Sequence, residues 1–297
     1  MADVWQPING VYTATAPIFP WVASLPSIDV IEWVGTLIGA GFGAGIGAWM
    51  AGRIARNAKL RDELLAELRS IDVAITLCIS VIDVAGALKK QYALRLLGEH
   101  ESNLTRFARH REEKQAGPFQ LSINNVKLQA IAPPIIELKD LVLKNMSISP
   151  NGVKSMIALA DALGNLNGMI NAYNALMEMF KIGRLPAGFT PEDYYLELPV
   201  RGTVNREYGT AVRGIVNYTN DVIFFTCKLS GCLTTQAIKV RDRYQKLSGQ
   251  KHPIRRVDFS GMAELLPSDS DYESWMKGWE EDLSGAAKKR RWRHRKR

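Results

Sequence analysis

Residues 33–52 read Trp33-Val34-Gly35-Thr36-Leu37-Ile38-Gly39-Ala40-Gly41-Phe42-Gly43-Ala44-Gly45-Ile46-Gly47-Ala48-Trp49-Met50-Ala51-Gly52, twenty residues without a charge. As a helix rising about 1.5 Å per residue, they cover roughly 30 Å, the hydrocarbon thickness of a bilayer. Trp33 and Trp49 stand near the two ends, where interfacial aromatics sit. Arg53, Arg56, Lys59 and Arg61 follow, whereas residues 1–52 hold Asp3, Asp29 and Glu32 and no lysine or arginine. The positive-inside rule therefore predicts one span over 28–52, a segment 1–27 outside and the remainder in the cytoplasm. A cleaved signal peptide is not expected, because no basic region precedes the apolar run.

Within the run Gly35, Gly39, Gly43 and Gly47 recur every fourth residue, and Ala40, Ala44 and Ala48 form a neighbouring row. Each interior glycine costs a helix about 1 kcal/mol relative to alanine. Repeated small-xxx-small spacing offsets that cost when helices in a bilayer approach closely. One span per chain means the partner helix comes from another copy, so a homo-oligomer, a tetramer or larger, is expected. Glu32 would then ring the outer mouth of any central pore and favour cations. The glycines from 35 to 47 all sit at odd positions, which rules out GxGxxG among them. Gly47 to Gly52 has the glycine spacing of a phosphate loop but lacks its Lys and Ser/Thr.

Charge is distributed unevenly along the 297 residues. Of 38 lysines and arginines, eight fall in the last ten residues, and three of 30 acids fall in the first 52. Residues 53–287 are left nearly balanced, with 30 cations and 27 acids. The tail 288–297, with Trp292 among its cations, suits a polyanion, either anionic lipid or nucleic acid. Mean hydropathy of -0.10 excludes a multi-span transporter. Cys78, Cys227 and Cys232 form no CxxC pair and the four histidines are scattered, so neither a disulfide framework nor a metal site is expected. No cofactor is expected either.

The body, 53–287, reads as all-α. Neither Gly nor Pro interrupts 53–85, where Leu60, Leu64, Leu68, Ile71, Ile75, Cys78 and Ile82 hold a helical stripe. Only ten residues separate Asp72 from Asp83, so this apolar stretch is expected in a core rather than in a second span. A charged helix follows to about Lys114, and Pro133-Pro134 breaks the chain. Ser149-Pro150 opens a helix that Gly183 closes. A short helix is expected at Thr190-Pro191-Glu192-Asp193, a long one over 207–246, a loop over 250–268 and a last helix over 269–283.

Two constellations carry chemistry. Lys239, Arg241, Arg243, Lys246, Lys251, Arg255 and Arg256 face a single acid, Asp242, with Tyr244 and His252 among them. Cations with interleaved aromatics suit a nucleotide or oligonucleotide, held by charge and base stacking; Arg201, Arg206 and Arg213 are placed to join them across the fold. The other is Arg95-x4-His100, whose spacing resembles that of HEPN-type ribonucleases, all-α enzymes in which such pairs meet at a dimer interface. Leu96 replaces the polar residue usual after that arginine. The resemblance implies a degenerate copy, and no catalytic residue is assigned.

A glycine-rich span with its N-terminus outside, a helical stalk and an all-α cytoplasmic domain resemble the membrane effectors of bacterial anti-phage defence. Two such families share this layout: the channel effectors of Hailong systems and the pore-forming membrane accessory proteins of type VI-B CRISPR systems. The resemblance implies an oligomeric channel of the bacterial inner membrane, gated from the cytoplasm by a nucleotide, oligonucleotide or protein partner. A membrane-tethered ribonuclease and a non-conducting anchor are the alternatives.

Overall fold

A computed structural model describes the backbone of residues 5–8, 11–14, 30–113, 117–123 and 126–277, and side chains from Ala48 onward. The described chain is mostly helical. It divides into two compact units, Met1–Leu60 and Arg61–Arg297, with the boundary inside helix α1, Val30–Leu88. In the first unit, β1 (Trp5–Ile8) pairs antiparallel with β2 (Val11–Ala14), a short hairpin in a chain that is otherwise mostly helical. The Asn9-Gly10 dipeptide between the strands is the residue pair most favoured in two-residue hairpin turns. Trp49, Met50 and Ile54 of the same unit are exposed.

In the second unit α1 contributes Leu64, Leu68, Ile71, Ala74, Ile75, Cys78, Val81, Ala85 and Leu88 to the core. Their three- and four-residue steps keep one face of the helix turned inward. Among the described residues one helical stretch, Ala48–Glu112, is long and apolar enough to cross a membrane, and half of its most apolar window is buried. Burial of Ile71, Ala74, Ile75, Cys78, Val81, Ile82 and Ala85 explains why: one face of this apolar run is core, as its bounding aspartates predict.

The helix continues through a π turn, Lys89–Ala93, into α2 (Leu94–Glu112). The wider turn holds more residues than an α turn and shifts the phase of the inward face. Tyr92, which an unbroken stripe would bury, is 37% exposed, and Ala93 is buried instead. Leu96 and His100 follow inward from Ala93.

Helix α3 (Ile135–Lys144) leads to α4 (Pro150–Ile182), which the Ser149 hydroxyl caps by accepting from the Gly152 amide. Gly183 ends α4 in the left-handed conformation, φ 67°. Before α3, an extended segment is fastened along α4 by two asparagines. Asn174 accepts from the Leu128 amide and donates to its carbonyl, at 2.8 and 2.7 Å. Asn167 does the same for Ile131, at 3.1 and 2.9 Å. Seven helical residues rise about 10 Å, close to three residues of extended chain. The side-chain amides thus take the place of a neighbouring strand.

Helix α5 (Pro191–Tyr195) opens with a complete capping box between Thr190 and Asp193. After it, β3 (Pro199–Val200) and β4 (Thr203–Val204) pair as a short antiparallel hairpin. Its turn places both Arg201 and Gly202 at positive φ, 50° and 80°. Helix α6 (Glu207–Ser248) packs along α4, with Met169 closing over Gly214. The expected loop over 250–268 contains a 3-10 turn at Ser260–Leu265. The expected last helix begins as a 3-10 turn, Asp269–Tyr272, and is α-helical over 273–277; its remainder lies outside the described residues.

This final segment is strapped back onto the unit. Met262 lies against Gly86, and the buried Lys89 ammonium donates to the Leu265 carbonyl at 2.7 Å. Tyr272 stacks on Phe224, with centroids 3.7 Å apart, and donates to Asp221 at 2.7 Å.

Candidate functional site

The residues singled out in the sequence separate in space. Gly35, Gly39, Gly43, Gly47, Ala40, Ala44 and Glu32 have helical backbone within α1, but their side chains lie outside the described residues; Ala48 is exposed. The tail 288–297 lies outside them too. In the basic segment Lys239, Arg243 and Lys246 are exposed on one flank of α6, and Lys251, Arg255 and Arg256 are exposed beyond it. Arg241 instead holds Asp242 at 2.8 Å, and Arg255 donates to Thr76 at 3.3 Å. Tyr244 is 7% exposed. Its ring belongs to the core, which corrects its assignment as a stacking surface for a base. The reason is helical phase: Leu233, Ala237, Val240 and Tyr244 form one inward row.

Arg95 and His100 do not converge. Five residues along a helix turn through about 140°, so one faces out when the other faces in. The Arg95 side chain is half exposed beside Glu99, whereas His100 is fully buried.

Around His100 the chain builds a polar core. Nε2 lies 3.0 Å from the Tyr195 carbonyl, so the proton sits on Nε2 and donates. Nδ1 then faces apolar surroundings with no partner among the described residues. Tyr195 and Tyr208 set their rings 5.3 and 5.2 Å from the imidazole. Tyr173 completes the group; its hydroxyl has no partner among the described residues, and burial pushes its pKa up to about 12. Burial likewise pushes His100 below the usual histidine value, against the opposing pull of the Tyr195 carbonyl and Glu197.

Glu197 seals this core at the end of α5. Its φ of 53° is a left-handed conformation usual for glycine at a helix C-terminus. Ion pairs hold it there, with Arg213 at 3.0 Å and Arg206 at 3.7 Å. Gly209 makes room: a Cβ there would strike the Glu197 carboxylate and come within 2.9 Å of His100 Cε1. Arg206 and Arg213, expected to join the basic segment, are thus committed to Glu197.

Tyr195, itself buried, is linked outward through its hydroxyl. Its hydroxyl accepts from Asn103 at 3.0 Å, and the Asn103 carbonyl accepts from Arg106 at 3.0 Å. Arg106 lies 5.6 Å over the Phe119 ring. Asn103, Arg106 and Phe119 line an open groove of about 1070 Å³, together with Glu99, Gln120 and Glu192. Its size suits a small ligand. One arginine, two carboxylates, two amides and one ring offer donors, acceptors and a stacking face.

No known family, characterised protein or solved structure matches the chain. The functional reading therefore rests on the residues themselves. Among those described, no cluster of His, Cys, Asp or Glu is placed to hold a metal ion. The groove was missed in the sequence because its walls come from 99–106, 119–123 and 192, segments with no shared motif. The hydrogen-bonded path from Arg106 to Tyr195 links its surface to the buried histidine.

Proposed function

We propose that this chain is the subunit of an oligomeric membrane channel or pore, an effector of bacterial antiviral defence. The observation that carries the reading is the glycine-striped, uncharged run 33–52, whose backbone is helical as part of α1. Helical geometry turns the four-residue spacing of Gly35, Gly39, Gly43 and Gly47 into a smooth face that suits close packing against another copy. The basic residues after Gly52 favour a cytoplasmic location for the second unit. Glu32 supplies a carboxylate ring at the outer mouth. The groove at Asn103, Arg106 and Phe119 supports a role for the helical unit as a receptor for a nucleotide-like ligand. Gating requires that ligand to bind one state of the channel better than the other.

Two measurements test this reading. In mild detergent the full chain is expected to run as a tetramer or larger, and in lipid vesicles to pass ions. Gly39→Leu together with Gly43→Leu is expected to abolish both assembly and conductance. A monomeric wild type, or an unchanged conductance in the double variant, overturns the proposal.

A further inference from the structure

The course of α6 beside α1 assigns the exposed cations a partner. Within the second unit these helices run antiparallel. Gln236 of α6 donates to Glu67 of α1 at 3.1 Å, and Cys227 lies close to Cys78. As the chain descends α1 from 78 to 67, it ascends α6 from 227 to 236. The last twelve residues of α6, 237–248, therefore continue past Glu67 toward the end at which α1 enters this unit, Arg61. At about 1.5 Å per residue they run on roughly 18 Å.

Lys239, Arg243 and Lys246 lie on that extension and are exposed, four and three residues apart on one flank. Lys251 follows the helix and is also exposed. The nearest acid along α6, Asp242, is occupied by Arg241, and Glu67 is occupied by Gln236 and the Ser147 amide. Arg61 itself follows the apolar run 33–52 by nine residues.

We propose that Lys239, Arg243, Lys246 and Lys251 form a contact face for the anionic phospholipid headgroups of the inner leaflet, an inference that rests on the single-span reading above. Charge attraction to an anionic surface falls off within a Debye length, so location decides which cations take part. These four occupy the end of the unit that the chain reaches first after the span. The alternative polyanion, a nucleic acid, is less well served. Tyr244 is buried and offers no stacking face, which leaves point charges on an open helix flank.

The test is hydrogen exchange of residues 239–256 in the full chain, reconstituted into discs of zwitterionic lipid or of zwitterionic lipid with one third phosphatidylglycerol. Reading a defined segment separates it from the basic tail. Exchange is expected to slow at least fivefold in the anionic discs, and the difference is expected to vanish in 0.5 M salt, a concentration at which the Debye length is only about 4 Å. In the Lys239→Gln, Arg243→Gln, Lys246→Gln variant it is expected to be lost, with the rest of the unit unchanged. Equal exchange in the two discs overturns the proposal. So does protection in zwitterionic discs by an oligothymidylate without any response to anionic lipid, which assigns the face to nucleic acid. If the chain instead stays soluble and resists incorporation, the span reading falls on its own. Cosedimentation with vesicles of the same anionic lipid mixture, compared between wild type and triple variant, then decides the headgroup assignment: equal pelleting of the two proteins overturns it.

Discussion

His100 shows how much one residue's placement fixes. Its imidazole is fully buried, bonded through Nε2 to a backbone carbonyl and flanked by the rings of Tyr195 and Tyr208. Burial lowers its pKa below the unfolded value of about 6.5. The folded chain therefore binds fewer protons here than the unfolded chain does. The stability this group contributes is complete above about pH 6.5 and is lost as the pH falls from there toward the lowered folded value. Each pH unit in that window costs about 1.4 kcal/mol for one proton. Melting curves between pH 7.5 and 5 should thus show a fall in Tm that His100→Gln reduces, since glutamine keeps a donor for Tyr195 but takes up no proton. An equal fall in both proteins would rule out His100 as the source. The R-x4-H spacing was visible in the sequence, but its meaning depends on which way each residue faces, and the two face apart.

At the scale of elements, the asparagine pair on α4 makes the sharpest prediction. Asn174→Ala removes both partners of the buried Leu128 backbone. It should cost about 1–3 kcal/mol in urea unfolding and speed amide exchange over 126–131. Unchanged exchange there would mean that packing alone holds the segment. Elements with local chemical signals were legible in advance. Ser149-Pro150, Gly183 and the box at Thr190–Asp193 each satisfy or end helical hydrogen bonds through their own side chains or backbone. The hairpins went unread for different reasons. Asn9-Gly10 carries a turn signal that short, mixed strands obscured, whereas Arg201 holds a positive φ that its residue type disfavours. The groove beside Asn103 has no local signal at all, because tertiary packing alone assembles it.

The whole molecule keeps its described core on one side of a boundary. Every residue of the buried cluster, from Leu64 to Tyr244, belongs to the unit that starts at Arg61. A chain beginning at Arg61 should consequently be soluble, strongly helical and cooperative in melting, as circular dichroism and size exclusion can check. Aggregation or a broad, non-cooperative transition would show that the first sixty residues are needed for folding. The core could be anticipated from hydrophobic spacing, since the aspartate-bounded run 73–82 is too short to cross a bilayer and its stripe continues that of Leu64 and Leu68. The division of labour among cations could not: Arg206 and Arg213 hold Glu197, Arg241 holds Asp242, and Lys239, Arg243 and Lys246 remain outward. The π turn at Lys89–Ala93 has a further consequence for this arrangement. It absorbs one residue beyond what an α turn would hold, so loss of one codon there would close the ladder to an ordinary α turn and leave the helix downstream facing as it does now. His100 would stay between its tyrosine rings, whereas a codon lost between Leu94 and Glu99, where no wide turn absorbs it, would rotate His100 by about 100° and turn it outward.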